Sequence, residues 1–446
     1  MKKILQKILV VGTLAFFAVI LIFSRKNESV PTFKERHGPI ALSAEWLNTK
    51  AAIQGLLDLL RQKPDDSKAM MQLAQAYIQE ARITGDHAYY DKASLDLLDQ
   101  VLKKEPGNFE ALCCKSTVLL SQHHFSDGLT VAQQAVKLNP YNAFIYGLLC
   151  DANVELGNYD EAIKMADKMV SLRPDIRSYS RVSYLREIFG DLEGAKQAMK
   201  LAVSAGFPGL EQTEWTRMIL AHLYECSGEL DSAEMQCKIA LQERPDYPFA
   251  IAGIGRIQKE RGNYNDAIKY YEKAKDMITE YSFSDELTDL YLLNNEKERS
   301  QKIAQTVIDM LSPNSNAEGT TGHGHYADRE LAYAYLKTGD LDNALLHAQI
   351  EYERRPKNID VCEMMGWVKY KRGEYAEANM YISQALHTGS KNPQLLCRAG
   401  MIKLKCGEKE YGLSMIKNAL NMDPFLDPFL KKEASQFLSG TVYANK

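Results

Sequence analysis

The chain lacks most of what enzymes and nucleic-acid binders carry. Its eight cysteines form no C-x-x-C pair, and Cys113 and Cys114 are adjacent, which is poor spacing for metal ligands. Cysteine inside a helix behaves as a small hydrophobe, so burial is their expected role. No basic stripe is interleaved with aromatics, and the formal net charge is −4; both argue against a nucleic-acid partner. Three tryptophans stand against 24 tyrosines, a balance that suits helical packing by a side chain with a polar tip. No G-x-S-x-G, G-x(4)-G-K-[ST] or H-E-x-x-H occurs, and Gly253-Ile254-Gly255 falls inside a predicted helix rather than after a strand. The common nucleophile, phosphate-loop, zincin and dinucleotide sites are therefore excluded. Between Ala44 and about Leu438 no segment carries strand signal of any length, which excludes a sheet.

A repeated phrase is present instead. Six copies of G-x-[Y/L]-x-x-A begin at Gly157, Gly190, Gly228, Gly262, Gly339 and Gly373. Pro106, Pro140, Pro174 and Pro208 stand 34 residues apart, and two later gaps of 68 are twice that. A fixed period in this range marks a solenoid. Residues 143–174 show the physics of one unit: a first helix ends at Gly157, which accepts the left-handed conformation of a C-cap. Asn158 and Asp160 favour the turn, and Ala162 is small enough for the helices to cross closely. The second helix stops at Arg173-Pro174, because proline disfavours helix in the residue before it. Seven places before each turn glycine stands a small residue: Cys150, Ser183, Ala221, Gly255, Ala332 and Gly366, with Gly400 in an imperfect unit. The expected fold class is all-α.

The amino terminus reads differently. Lys2, Lys3 and Lys7 precede an uncharged apolar run from Ile8 to Phe23, the layout of a signal segment. No small-x-small triplet closes the run, so an uncleaved anchor over residues 1–26 is expected. The bulk of the chain would then be periplasmic or otherwise extracytoplasmic; cleavage would instead release a secreted form. Residues 27–43 read as a linker, 44–64 as an N-terminal helix, 65–424 as the array, and 425–446 as a capping helix and tail. About 65 residues before the array and 22 after it are too few for an appended catalytic domain, so the chain is expected not to be an enzyme.

Within the array the period falters in informative places. The first unit has a longer turn, Arg82 to Tyr90. The second has His123-His124 where glycine is usual, and Gly128 in place of alanine. The unit over 280–313 lacks the phrase, with Asp289 at its small-residue place, and residues 314–325 insert a polar, glycine-rich loop.

Small residue, tyrosine, glycine, alanine and proline in this order resemble the tetratricopeptide repeat family over residues 66–424, about ten units. Ser178 to Val182, Gly366-Trp367 and Ala399 to Ile402 resemble a membrane-anchored bacterial type of that family. The resemblance implies a right-handed superhelical solenoid, preceded here by the membrane anchor. It also implies a concave face of first-helix side chains: Tyr184, Trp215, Met218, His222, Phe249, Arg256, Phe283, Arg329, Trp367 and Tyr370. Aromatics and arginine of this kind make interface hot spots. The expected function is a membrane-tethered scaffold that captures a peptide or domain of an envelope protein. Two alternatives remain open. One is a metal-handling role for His323, His325 and Asp328, whose types suit zinc or nickel; the other is self-assembly into a homodimer. No cofactor is implied, and these three are the only candidate metal ligands singled out.

Overall fold

The computed structural model describes residues 30–312 and 324–443 of the chain. The described residues form 22 α-helices and one short 3-10 helix, Gly38–Leu42, with no strand. A first helix, α1 (Ala44–Gln62), leads into ten helical hairpins. These are α2–α3 (Ser67–Thr84, His87–Lys104), α4–α5 (Phe109–Ser121, Phe125–Leu138), α6–α7 (Ala143–Glu155, Tyr159–Leu172) and α8–α9 (Ile176–Ile188, Leu192–Ser204). Next come α10–α11 (Glu211–Glu225, Leu230–Glu243), α12–α13 (Pro248–Glu260, Tyr264–Lys275) and α14–α15 (Tyr281–Leu293, Lys297–Leu311). The last three are α16–α17 (Asp328–Thr338, Leu341–Arg354), α18–α19 (Ile359–Lys371, Tyr375–Ala385) and α20–α21 (Pro393–Lys405, Lys409–Met422), followed by α22 (Pro428–Tyr443).

Each hairpin closes for the reasons its sequence supplies. Gly157 sits at φ +74°, and its N–H donates to Val154 O at 3.0 Å while Asn158 N–H donates to Asn153 O at 2.8 Å. These bonds satisfy carbonyls that the end of α6 leaves open. Where the helices cross, a larger residue would collide: a Cβ on Gly400 would lie 2.6 Å from Gly412 O. Serine at this place gains a bond instead, with Ser183 Oγ donating to Ala195 O at 2.7 Å.

Two irregular units resolve differently from their sequence reading. The extra residues of the first hairpin lengthen its helices to 18 residues each rather than its turn, which is only Gly85-Asp86. In the seventh hairpin Asn295 takes the left-handed turn at φ +61°. The small-residue place is therefore the buried Thr288, whose carbonyl accepts from Ser300 Oγ at 2.8 Å. Asp289 lies one place on and faces the interior. Asn tolerates the left-handed region without being glycine, which hid the frame.

The hairpins also touch at long range. After six hairpins the chain path comes back on itself, and the turn of one hairpin meets the segment entering the sixth one on. Thr279 N–H donates to Thr84 O at 3.1 Å, and Cβ atoms on Gly85, Gly157 and Gly190 would lie 2.1, 2.4 and 2.5 Å from the backbones of Thr279, Lys357 and Gly389. On Gly228 a Cβ would lie 3.0 Å from Pro424. At the second hairpin the histidines do this work. His123 Nδ1 bonds Tyr326 O at 2.8 Å and His124 Nε2 bonds Gly324 O at 2.6 Å, with Tyr326 stacked on His124.

Residues 30–43 pack along the first hairpin. Tyr77 and Tyr89 hydroxyls donate to Pro31 O and Thr32 O, and Arg36 makes a bidentate pair with the buried Glu80 at 2.6 and 2.8 Å.

The expectation of a membrane-anchored chain requires correction. Among the described residues no helix is long and apolar enough to cross a membrane, and the apolar run 8–23 on which the expectation rested lies outside the described residues. The expected anchored, extracytoplasmic localisation is not upheld.

Gly157→Ala and Gly339→Ala separate the two roles of a turn glycine. Both incur roughly 1–2 kcal/mol for a Cβ in the left-handed region. Gly339 has nothing within 4 Å of its Cβ direction, whereas Gly157→Ala must also displace the Lys357 backbone, an overpacking cost of about 1–3 kcal/mol. Urea unfolding should show the larger loss at Gly157. Equal losses would remove the long-range contact as a source of stability.

Candidate functional site

The first helices of hairpins four to ten, α8 through α20, and the entry to α22 line an open-mouthed cavity of about 880 Å³. Helical spacing selects what faces it. The residue one place after the small-residue position points inward at Tyr184, His222, Arg256 and Trp367, and those four or five places after it share that stripe. Glu187, Lys259, Glu260, Lys337 and Lys371 line the cavity on this account.

The lining is polar and acid-rich, with twelve Asp and Glu side chains against six Lys and Arg. That surplus of six exceeds the whole chain's net charge of −4, so negative charge is concentrated inside. Most cations are committed to bridges between hairpins. Arg256 clamps Glu225 at 2.6 and 3.0 Å. Lys259 reaches Glu286 at 2.8 Å, and Lys337 lies 2.8 Å from both Asp285 and Asp289. Arg398 holds Glu363 at 2.9 Å and Lys371 holds Glu433 at 2.6 Å. Arg398 and Lys371 also stand 5.0 and 4.6 Å from the Trp367 ring centre.

Burial acts against these carboxylates, and local cations decide each outcome. Burial, reinforced by Glu225 and then Asp423, pushes Glu260 up to about 8 against the nearby Arg256 and Lys259. Burial and the neighbours Asp285 and Glu286 push Asp289 up to about 6 even beside Lys337. Burial also pushes Glu286 up, but Lys259 and Lys337 outweigh it and hold the group down at about 2. Glu260 Oε2, Arg329 Nε and Glu330 Oε2 are buried with no hydrogen bond among the described residues.

Of the residues expected on the concave face, Tyr184, His222, Arg256, Arg329 and Trp367 line this cavity together. The others stand elsewhere. Met218 is in the packed core between hairpins five and six, and Tyr370 lies flat against Trp367 at 4.9 Å with its hydroxyl donating to Glu433. Trp215, Phe249 and Phe283 form an edge-to-face row at 4.9 and 5.6 Å, with Phe283 buried and Trp215 half exposed at its end. The charged groups four and five places after the small residue escaped the sequence reading, although the same helical stripe would have found them.

Of the expected metal ligands, the two among the described residues are engaged with other side chains. His323 lies outside the described residues. His325 lies against His123, with ring centres 4.4 Å apart. Asp328 is taken by His347 at 2.7 Å and Arg354 at 2.5 Å. Neither His325 nor Asp328 joins a group of three potential ligands among the described residues.

A sequence model of the tetratricopeptide repeat matches residues 250–280, which is essentially the α12–α13 hairpin. The TPR repeat-containing protein YpiA of Bacillus subtilis is 22% identical over 317 residues, spanning 66% of this chain and 71% of that protein. These similarities support the tetratricopeptide repeat family. The TPR repeat-containing protein PA4667 of Pseudomonas aeruginosa is 28% identical over 167 residues, 36% of this chain and 26% of that protein, so the match takes in about a quarter of its length. The crystal structure of the APC/C hetero-tetramer Cut9-Hcn1 superposes with a TM-score of 0.42 at 13% identity, covering 91% of this chain and 82% of that one. Tetratricopeptide repeat arrays generally mediate protein–protein interaction, and the fold is typically a non-enzymatic scaffold.

The Glu286–Lys259 pair gives a pH test. A carboxyl held at about 2 in the folded state contributes stability that is fully present above its unfolded value near 4.3 and is lost as pH falls toward 2. The bridge is partly open to solvent, so the contribution is on the order of 1 kcal/mol. Thermal melts of wild type and Glu286→Gln should therefore differ above pH 4.5 and converge toward pH 2. A difference that does not change with pH would refute the assignment.

Proposed function

We propose that this tetratricopeptide repeat solenoid binds an extended, basic peptide segment of a protein partner in the open-mouthed cavity on its inner face. The observation that carries the reading is the twelve-to-six excess of carboxylates lining the cavity. A guest bearing Lys or Arg neutralises charge that is otherwise held together in a region of low dielectric. Tyr184, which is exposed, offers a ring face for the same cations. The volume of about 880 Å³ suits side chains and a short backbone rather than a folded domain. Phosphate-rich nucleic acid is disfavoured by the same charge.

The test is fluorescence anisotropy with labelled Lys/Arg-rich peptides against acidic and neutral peptides of equal length. Basic peptides should bind, and their affinity should fall as salt rises. Asp360→Asn and Tyr184→Ala should each weaken binding about tenfold, equivalent to about 1.4 kcal/mol, with helicity by circular dichroism unchanged. Equal binding of acidic and basic peptides would sink the reading.

A further inference from the structure

We propose that Glu187, His222 and Cys226 form a zinc site on the wall of the interior cavity, with its fourth coordination position facing the cavity. The proposal does not rest on the peptide reading. Near the end of α10, His222 and Cys226 stand four residues apart and so share one helix face. Glu187 comes from the last turn of α8, the first helix of the preceding hairpin. One ligand atom from each lies within 4.8 Å of the other two, and this is the only such group of three among the described residues. His222 Nε2 and Cys226 Sγ are 3.5 Å apart. Two ligands on one tetrahedral zinc, with Zn–S about 2.3 Å and Zn–N about 2.0–2.1 Å, stand about 3.5–3.6 Å apart. The nitrogen and sulfur are thus already spaced as ligands of one ion.

The surroundings fit as well. Metal-bound histidine commonly gives its other ring N–H to a carboxylate, and Glu225 Oε2 lies 3.9 Å from His222 Nδ1, within reach after a modest turn of the imidazole. Glu225 is itself fixed by the two-pronged Arg256 clamp. A nitrogen, a sulfur and a carboxylate oxygen together suit zinc better than calcium or magnesium, which take oxygen sets. All three residues line the cavity. Three protein ligands with one place left is the arrangement that accepts water or a donor atom from a guest. Zinc there places a cation amid the surplus carboxylates.

The experiment uses the purified full chain, tag-free and stripped with chelator, titrated with zinc alone by calorimetry and with cobalt(II) by absorption. One zinc per chain should bind with a Kd below micromolar, and cobalt should show a thiolate-to-metal charge-transfer band. Cys226→Ser should abolish that band, and His222→Ala should weaken zinc at least about 100-fold, equivalent to two tenfold steps of affinity. Glu187→Gln, on the cavity wall, serves as the third variant should either of these lose helicity, with a weakening of at least about tenfold expected. His325→Ala should leave binding unchanged. Absence of binding tighter than about micromolar, or a charge-transfer band that survives Cys226→Ser, overturns the proposal.

Discussion

The rest of the molecule depends on a close backbone approach that a side chain would block. At Gly85, Gly157 and Gly190 an added Cβ would meet a main chain about 200 residues away at 2.1 to 2.5 Å. A solenoid whose units touched only their neighbours would stay an open curve, with its inner face on solvent. Here the turns of the first five hairpins seat against the segments entering hairpins seven to ten and α22. Glycine is required twice at these turns, once for positive φ and once for lack of bulk. Where glycine is missing the contact persists by other chemistry: His123 holds the left-handed conformation at φ +63°, and its ring bonds the Tyr326 carbonyl.

Closure changes what the inner side chains mean. On an open face Lys259–Glu286 or Arg398–Glu363 would be ordinary surface bridges contributing about 0–1 kcal/mol each. Inside the wall, with Lys259 shielded and Glu286 still partly open to solvent, the pair stands at the upper end of that range, on the order of 1 kcal/mol. The charges therefore constrain one another. Two lysines hold Glu286 down against its burial, while burial, reinforced by Glu225 and Asp423, pushes Glu260 up. The cavity is a mosaic in which each carboxyl's acid strength follows the local balance of burial, neighbouring carboxylates and cations.

Much of this was legible in the sequence, and the boundary is physical. The phrase at Gly157, Gly190 and Gly228 specifies a local event, a C-cap followed by a close helix crossing, so the all-helical repeat fold followed from it. The stripe beginning at Tyr184, His222, Arg256 and Trp367 was also readable, because helical spacing is local. Lys259, Lys337 and Lys371 lie on that same stripe, so helical spacing alone places them beside the aromatics and arginine. The seventh hairpin was misframed. Asn295 does the work of glycine there, so counting back from a missing glycine put Asp289 where Thr288 stands.

Closure itself could not be read from the phrase. Gly262, Gly339, Gly373 and Gly407 adopt the same left-handed conformation with φ between +79° and +90°, yet an added Cβ on any of them meets nothing within 4 Å. Among the described residues their hairpins have no hairpin six places further on to receive. A local requirement met identically at both kinds of turn carries no information about the distant one. What did carry information was misfit. His123-His124 and the lengthened entry to hairpin eight look like two separate lapses in the period, 200 residues apart. They face each other across the closure, where the two imidazoles bond the Tyr326 and Gly324 carbonyls.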